Sequence, residues 1–181
     1  MYDFDYQRPD SLARAIDLLA GDDMAMPIAG GMTLLPTLKL RMAQATQLVD
    51  LAGIGELRGI AGDAGMITVG AMTPHAEVAN HPLVNEHIPA LAGLAAGIGD
   101  PQVRNRGTLG GSLANNDPAA DYPAAVLGLN ATVVTDRRAL AADDYFLGMF
   151  TTALEPGEII TQVRFSPPRR AAYAKFRNPA S

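Results

Sequence analysis

The sequence predicts an α+β fold of two small lobes, the second carrying a mixed or antiparallel sheet. Its 181 residues, with 48% hydrophobic content, suffice for one domain or two small lobes around a sizeable core. Helical and strand-like segments mingle without the regular alternation of a doubly wound sheet. A hairpin pattern and two later strand-like runs lie beyond residue 56.

The elements follow in order. "FDYQRPDSLARAIDLLAGDD" reads as a short strand and then a helix. Asp10 or Ser11 can cap that helix, Leu12, Ala15, Ile16 and Leu19 recur at helical spacing, and Gly21 fits the stop. Met26 to Ala29 is a short buried strand, with another around Leu48 to Leu51. "LRGIAGDAGMITVGA" predicts a hairpin turning at Gly62-Asp63-Ala64-Gly65. In "TPHAEVANHP", Thr73 stands as N-cap and Pro74 as the first helical residue. Helical turns fit Pro89 to Ala96. From Gly97 to Pro123 apolar periodicity fades, so this Gly-rich stretch is either functional or a string of short elements. "NATVVTDRRAL" and "GEIITQVRF" are strand-like, and a last strand is expected around Ala172 to Phe176.

Bulk properties exclude several functions. Net charge is −5, lysine occurs only as Lys39 and Lys175, and no basic block exists, which argues against a nucleic-acid partner. There is no cysteine, so these residues build no thiolate zinc site, disulfide, cysteine nucleophile or cysteine-ligated iron–sulfur cluster. The polar start is no signal peptide, and no run approaches the roughly 20 apolar residues of a membrane span. The expectation is a cytoplasmic protein.

Known chemical motifs mostly fail. No Gly-Lys dipeptide and no G-x-G-x-x-G after a strand occur, so Walker and Rossmann sites lack support. "GGSLA" places Ser112 near a nucleophile-elbow pattern, but His75, His81 and His87 all precede it, against the serine–acid–histidine order. The six-residue spacing of those histidines puts no two on one helical face, and they receive no chemistry.

Two glycine pairs remain, Gly30-Gly31 and Gly110-Gly111, each with a hydroxyl nearby in Thr33, Thr108 or Ser112. Each is either a tight turn or a nest of backbone N–H groups that favours an anion. Together they could hold a diphosphate between them. Lys39 and Arg41 lie a turn or more beyond the first pair and add only background positive potential. Asp117 and Asp121 suit helix caps before Pro118 and Pro123, and equally suit carboxylates that accept hydrogen bonds from a ligand's hydroxyl or ring N–H groups.

"AGGMTLLPTLKLR" together with "RNRGTLGGSLANNDPAADYP" resembles the FAD-binding domain of molybdenum hydroxylases, in the form of the medium, flavoprotein subunit of carbon monoxide dehydrogenase-type enzymes and the flavin domain of xanthine dehydrogenase. "VGAMT", "GEIIT" and "YAKFRNPAS" follow in order, so the resemblance covers nearly the whole chain. It implies the two-lobed FAD-binding fold of the vanillyl-alcohol oxidase (PCMH) type. The first lobe would span residues 1–58 and the second 59–176. Residues 177–181 would begin the family's C-terminal domain, which packs over the flavin and is absent from this sequence.

The resemblance also implies a site. Ala29, Gly30, Gly31, Met32, Thr33 and Leu34 would wrap the FAD diphosphate from the first lobe. Thr108, Gly110, Gly111 and Ser112 would do so from the second. Asn115 and Asp121 match positions at the ribityl and diphosphate region or the flavin edge. Ile98 and Gly99 line the flavin, Ile160 packs on adenine, and Lys175 matches a lysine that reaches the cofactor. Two departures stand out: Met32-Thr33 replaces the common His-Ser, and Ser112 replaces a common Asn.

No residue in such a subunit need act as acid or base. Electrons from substrate oxidised at a molybdenum cofactor in a large subunit would cross two [2Fe-2S] clusters in a small subunit to FAD, and then reach a quinone, NAD or oxygen. The resemblance further implies a dimer of heterotrimers and, with a quinone acceptor, peripheral association with a membrane. Missing cysteines argue against the branch whose flavin subunit holds its own cluster. The alternatives are a flavin-free assembly or interaction subunit and a stand-alone flavoprotein oxidase of the vanillyl-alcohol type.

Overall fold

Strand pairing divides between two main sheets, one formed by the first 50 residues and the other by residues 60–165, with a separate two-stranded ribbon at residues 146–152. The computed structural model describes residues 1–63 and 65–177. In the first part, β1 (Asp5–Gln7), α1 (Leu12–Ala20), β2 (Ala25–Ile28), α2 (Leu34–Lys39) and β3 (Gln47–Asp50) follow one another. β3 lies between β1 and β2, parallel to both. This central strand buries Leu48 and Val49. Parallel neighbours need crossovers, which α1 and α2 supply. Ser11 caps α1 by accepting from the Arg14 N–H, and the helix stops at Gly21. Ala15 and Leu19 are its buried face, as their spacing predicts. Two single 3₁₀ turns, Leu51–Gly53 and Gly55–Leu57, lead out of this sheet and bury Ile54 and Leu57.

The second part opens with the expected hairpin, β4 (Ile60–Asp63) against β5 (Met66–Gly70), with Asp63 opposite Met66. Of the predicted turn, Ala64 lies outside the described residues. Six helices follow: α3 (His75–Asn80), α4 (Pro82–His87), α5 (Pro89–Ala96), α6 (Pro101–Arg106), α7 (Leu109–Asn115) and α8 (Tyr122–Gly128). Then come β6 (Thr132–Thr135), β7 (Ala139–Ala141), α9 (Ala142–Tyr145), β8 (Phe146–Gly148), β9 (Thr151–Thr152) and β10 (Ile160–Phe165). The larger sheet runs β4-β5-β10-β6-β7 and is antiparallel throughout. β10 returns from the end of the chain to its centre, and Val163 and Phe165 are fully buried there.

Two expectations change, at Thr73 and at Ala172 to Phe176, and one open reading is decided. Thr73 does not cap α3. Its hydroxyl accepts from the Gly59 N–H (3.0 Å) and donates to the Gly59 carbonyl (3.1 Å), while Pro74 takes the extended position before the helix. The stretch from Gly97 to Pro123 is a string of short helices. Asp100 accepts from the Val103 N–H and Thr108 from the Gly111 N–H at their starts. No strand forms at Ala172 to Phe176. Alternation there reads as a strand, but the segment is held by side chains alone.

An ion pair between exposed Arg138 and buried Glu158 fixes the approach to β10. The Glu158 carboxylate accepts from Arg138 (Nε 3.0 Å, Nη2 2.9 Å), from the Thr135 hydroxyl (2.7 Å) and from the Glu155 N–H (2.8 Å). The Arg138 hydrogen bonds, with those from Glu155 and Thr135, outweigh burial and hold this carboxyl down at about 2. A carboxyl depressed in the folded state stabilises it at neutral pH and loses that contribution as pH falls. Thermal midpoints should therefore drop as pH is lowered from about 4.5 toward about 2. Glu158→Gln should lower the midpoint at pH 7 and flatten this part of the profile in a calorimetric pH series.

Candidate functional site

The turn between β2 and α2 is the first wall of a cleft of about 580 Å³. Gly31 has φ +73°, the left-handed region in which a β-carbon is costly. Gly30 is needed for a different reason. A β-carbon there would stand 2.1 Å from the Arg106 carbonyl oxygen and 2.8 Å from the Gly107 α-carbon. The turn thus rests backbone-to-backbone on the end of α6. Among the described residues, the N–H groups from Gly30 to Leu34 find no acceptor. Ala29, Met32 and Thr33 complete this wall with Leu34 at the first turn of α2. The result is a concave set of unspent donors, suited to an anion.

The second glycine pair faces the same cleft but works otherwise. The Gly110 N–H donates to the Ala71 carbonyl (2.8 Å), and the Ser112 N–H to that of Thr108 (3.1 Å). The Gly111 N–H is taken by the Thr108 hydroxyl (3.1 Å). The expectation of two equivalent nests is therefore corrected: only the first turn has free donors. Gly110 permits close packing, since its β-carbon would fall 2.6 Å from that of Ala71. Gly111 leaves a bare surface opposite Ala29, whose β-carbon would be 3.3 Å away.

Toward one end, Ile98 and Gly99 line the cleft, and their carbonyls are held by the Arg104 guanidinium (3.0 and 2.9 Å). Asn115 and Asp121 stand nearby on the ends of α7 and α8. Asp121 caps nothing with its side chain. Its buried carboxylate accepts from the Tyr173 hydroxyl and from Lys175 Nζ (2.8 Å), and Lys175 also donates to the Gly97 carbonyl (3.2 Å). Burial and this carboxylate push the Tyr173 phenol up to about 12. Asp117 likewise caps no helix, and accepts from the Ala119 N–H in a turn (2.8 Å). Elsewhere Leu51, Leu154, Ile159 and Ile160 supply apolar walls.

All sixteen residues that the resemblance assigns to a cofactor site line this one cleft. Others join them that no local signal marks. Glu158 holds one wall through Arg138, and His75, which received no role from its spacing, lies on the floor beside Gly107. The arrangement fits FAD: free N–H donors for a diphosphate, apolar flanks for two ring systems, and a volume in the range of roughly 300–1,000 Å³ usual for ligand sites.

The family description "FAD binding domain in molybdopterin dehydrogenase" matches residues 2–168. The chain belongs to this family. It is 40% identical to the carbon monoxide dehydrogenase medium chain of Hydrogenophaga pseudoflava, with 96% of this chain and 63% of that one covered. It is also 40% identical to the nicotine 6-hydroxylase medium subunit of Paenarthrobacter nicotinovorans, covering 94% and 62%. Among solved structures, quinoline 2-oxidoreductase from Pseudomonas putida 86 superposes with a TM-score of 0.90 at 39% identity, over 93% of this chain and 60% of that one. Carbon monoxide dehydrogenase from Hydrogenophaga pseudoflava gives 0.89 at 39%, over 96% and 60%. The sequence thus spans about three-fifths of the length of these relatives. The fold is the PCMH-type FAD-binding domain of the molybdopterin dehydrogenases, and no helix among the described residues is long and apolar enough to cross a membrane.

If this FAD-binding domain closes its cleft through Gly30, Gly30→Ala should destabilise it by roughly 1–3 kcal/mol, as overpacking does. Urea unfolding measures this, and an unchanged midpoint would refute the contact.

Proposed function

We propose that the chain binds FAD non-covalently in this cleft and serves as the electron-transfer subunit of a multi-subunit molybdenum hydroxylase. The observation that carries the reading is the turn from Gly30 to Leu34, which lines the cleft and whose N–H groups have no partner among the described residues. Such donors cost free energy when buried unpaired, and a diphosphate would satisfy them. Gly111 and Ser112 would receive the opposite side of that group as a close, uncluttered surface. Ile160 and Ile159 would pack the adenine, while Ile98 and Gly99 would flank the flavin. Asp121 would act by holding Tyr173 and Lys175 at the cleft edge.

Bound FAD supplies the redox chemistry, accepting electrons and passing them on; the protein's task is to bind, orient and tune it. The two lobes meeting at the cleft would be residues 1–58 and 59–176. The sequence has no cysteine, so two [2Fe-2S] clusters would come from a small partner subunit and the molybdenum cofactor from a large one. Support comes from relatives whose names are carbon monoxide dehydrogenase medium chain, nicotine 6-hydroxylase medium subunit and glyceraldehyde dehydrogenase medium chain. The assembly would be a dimer of heterotrimers in the cytoplasm, with quinone, NAD or oxygen as acceptor. A quinone would bring the complex to a membrane surface.

Titration with FAD, read by flavin fluorescence and absorbance, tests the binding step. Saturable 1:1 binding is expected, and Gly31→Val should weaken it tenfold or more while circular dichroism stays unchanged, because backbone strain at φ +73° costs roughly 1–3 kcal/mol. A chain that takes up no FAD would favour the flavin-free assembly subunit. Purification from the source organism should bring two partner chains, and an isolated chain oxidising an alcohol would favour the stand-alone oxidase.

A further inference from the structure

His75 begins α3 and is 5% exposed, yet its ring has no hydrogen-bond partner among the described residues. Nδ1 is enclosed, and the neighbouring Tyr122 hydroxyl, with the ring centroids 5.2 Å apart, is enclosed and unpartnered as well. The His75 main chain is firmly placed, its N–H donating to the Gly107 carbonyl (3.0 Å) in a short pairing that also joins Leu109 to Thr73. Only the imidazole is left unsatisfied, and it lines the cleft.

Gly107 gives this arrangement its meaning. Its φ of −63° and ψ of 141° suit any residue, so no conformational need calls for glycine there. A β-carbon at this position would lie 2.5 Å from His75 Nε2. What glycine provides is a close approach of the chain to that nitrogen, which a β-carbon would crowd. The same glycine carries the contact with Gly30, so the imidazole lies close to the turn of free N–H groups. On the other side, Tyr122 leads directly back to Asp121.

Burial pushes the imidazole down to about 4, with the Asp121 charge opposing the shift, so the ring is neutral at ordinary pH. A neutral imidazole carries one donor and one acceptor. Placing its hydrogen on Nε2 leaves only a lone pair enclosed at Nδ1, and lone pairs go unsatisfied in protein interiors more readily than N–H donors. The donor then sits on Nε2, the ring nitrogen that is not enclosed, in a residue that lines the cleft.

We propose that His75 is a further cofactor contact, donating its Nε2–H to an oxygen of FAD in the part of the cleft between the Gly30 turn and Asp121, and that Gly107, by lacking a β-carbon, leaves Nε2 uncrowded. The proposal rests on the FAD reading above. Its alternative is a histidine that merely packs against Tyr122, and the two differ in what substitution does to the empty protein. A packing residue stabilises the FAD-free chain. A ring whose enclosed nitrogen has no partner does not, and a shape-matched apolar replacement is neutral or stabilising.

The test is FAD titration by flavin fluorescence together with thermal unfolding of the FAD-free chain, for the unsubstituted protein, His75→Leu, His75→Gln and Gly107→Ala. His75→Leu should weaken FAD binding tenfold or more and leave the FAD-free midpoint unchanged or raised. His75→Gln, which keeps an N–H donor, should recover most of the affinity. Gly107→Ala should weaken binding as well, its new methyl covering Nε2. Wild-type affinity in His75→Leu overturns the proposal, as does a lowered FAD-free midpoint with equal loss of affinity in His75→Gln. If His75→Leu does not fold, unchanged affinity in Gly107→Ala overturns it. Absence of FAD binding to the unsubstituted chain would instead remove the reading beneath it.

Discussion

The site depends on a contact without side chains. Gly30 lies against the Arg106 carbonyl and the Gly107 α-carbon at a separation that no β-carbon could enter. The small parallel sheet and the large antiparallel sheet are joined there by a turn and a helix end. Because the contact is backbone to backbone, the turn from Gly30 to Leu34 is held along the cleft with its N–H groups unpaired among the described residues. A single added methyl would push that turn away from the floor formed by Gly107 and His75. The approach of the two parts, the shape of the cleft and its donors therefore share one cause.

Charge is handled by pairing at the edges and by backbone dipoles in the middle. Among the described residues lining the cleft, Lys175 is the one Lys or Arg, and it is already paired with Asp121. Glu158 is neutralised by Arg138 behind the opposite wall. An anion entering the cleft would thus meet amide N–H groups and not an unpaired cation. Such an arrangement would recognise a diphosphate by geometry, since preplaced N–H donors act only on an acceptor in the right position.

Much of this was legible in the sequence, and the rest fails for identifiable reasons. Local rules place α1, with its Ser11 cap and Gly21 stop, and the β4–β5 hairpin, because both are decided by neighbours in the chain. The adjacency of Gly30 and Gly31 marks a special turn, and the left-handed backbone at Gly31 follows from it. What no local rule contains is that Gly30 meets Arg106, or that the N–H groups of Gly110 and Gly111 are already taken by Ala71 and Thr108. The two pairs look alike in sequence and differ in use. His75 was invisible for the same reason: its surroundings come from Gly107 and Tyr122, not from the other histidines. The segment around Tyr173 and Lys175 alternates like a strand, yet Asp121, far away in sequence, holds it by side chains.

The central claim is that the first glycine turn, and not the second, supplies the donors for FAD. Hydrogen exchange of individual amides, followed by mass spectrometry with and without FAD, tests this most directly. The amides from Gly30 to Leu34 should exchange fast in the FAD-free chain and slow markedly on binding, while those from Gly110 to Ser112 should be protected in both states. FAD binding that slows the second set and leaves the first unchanged would contradict it.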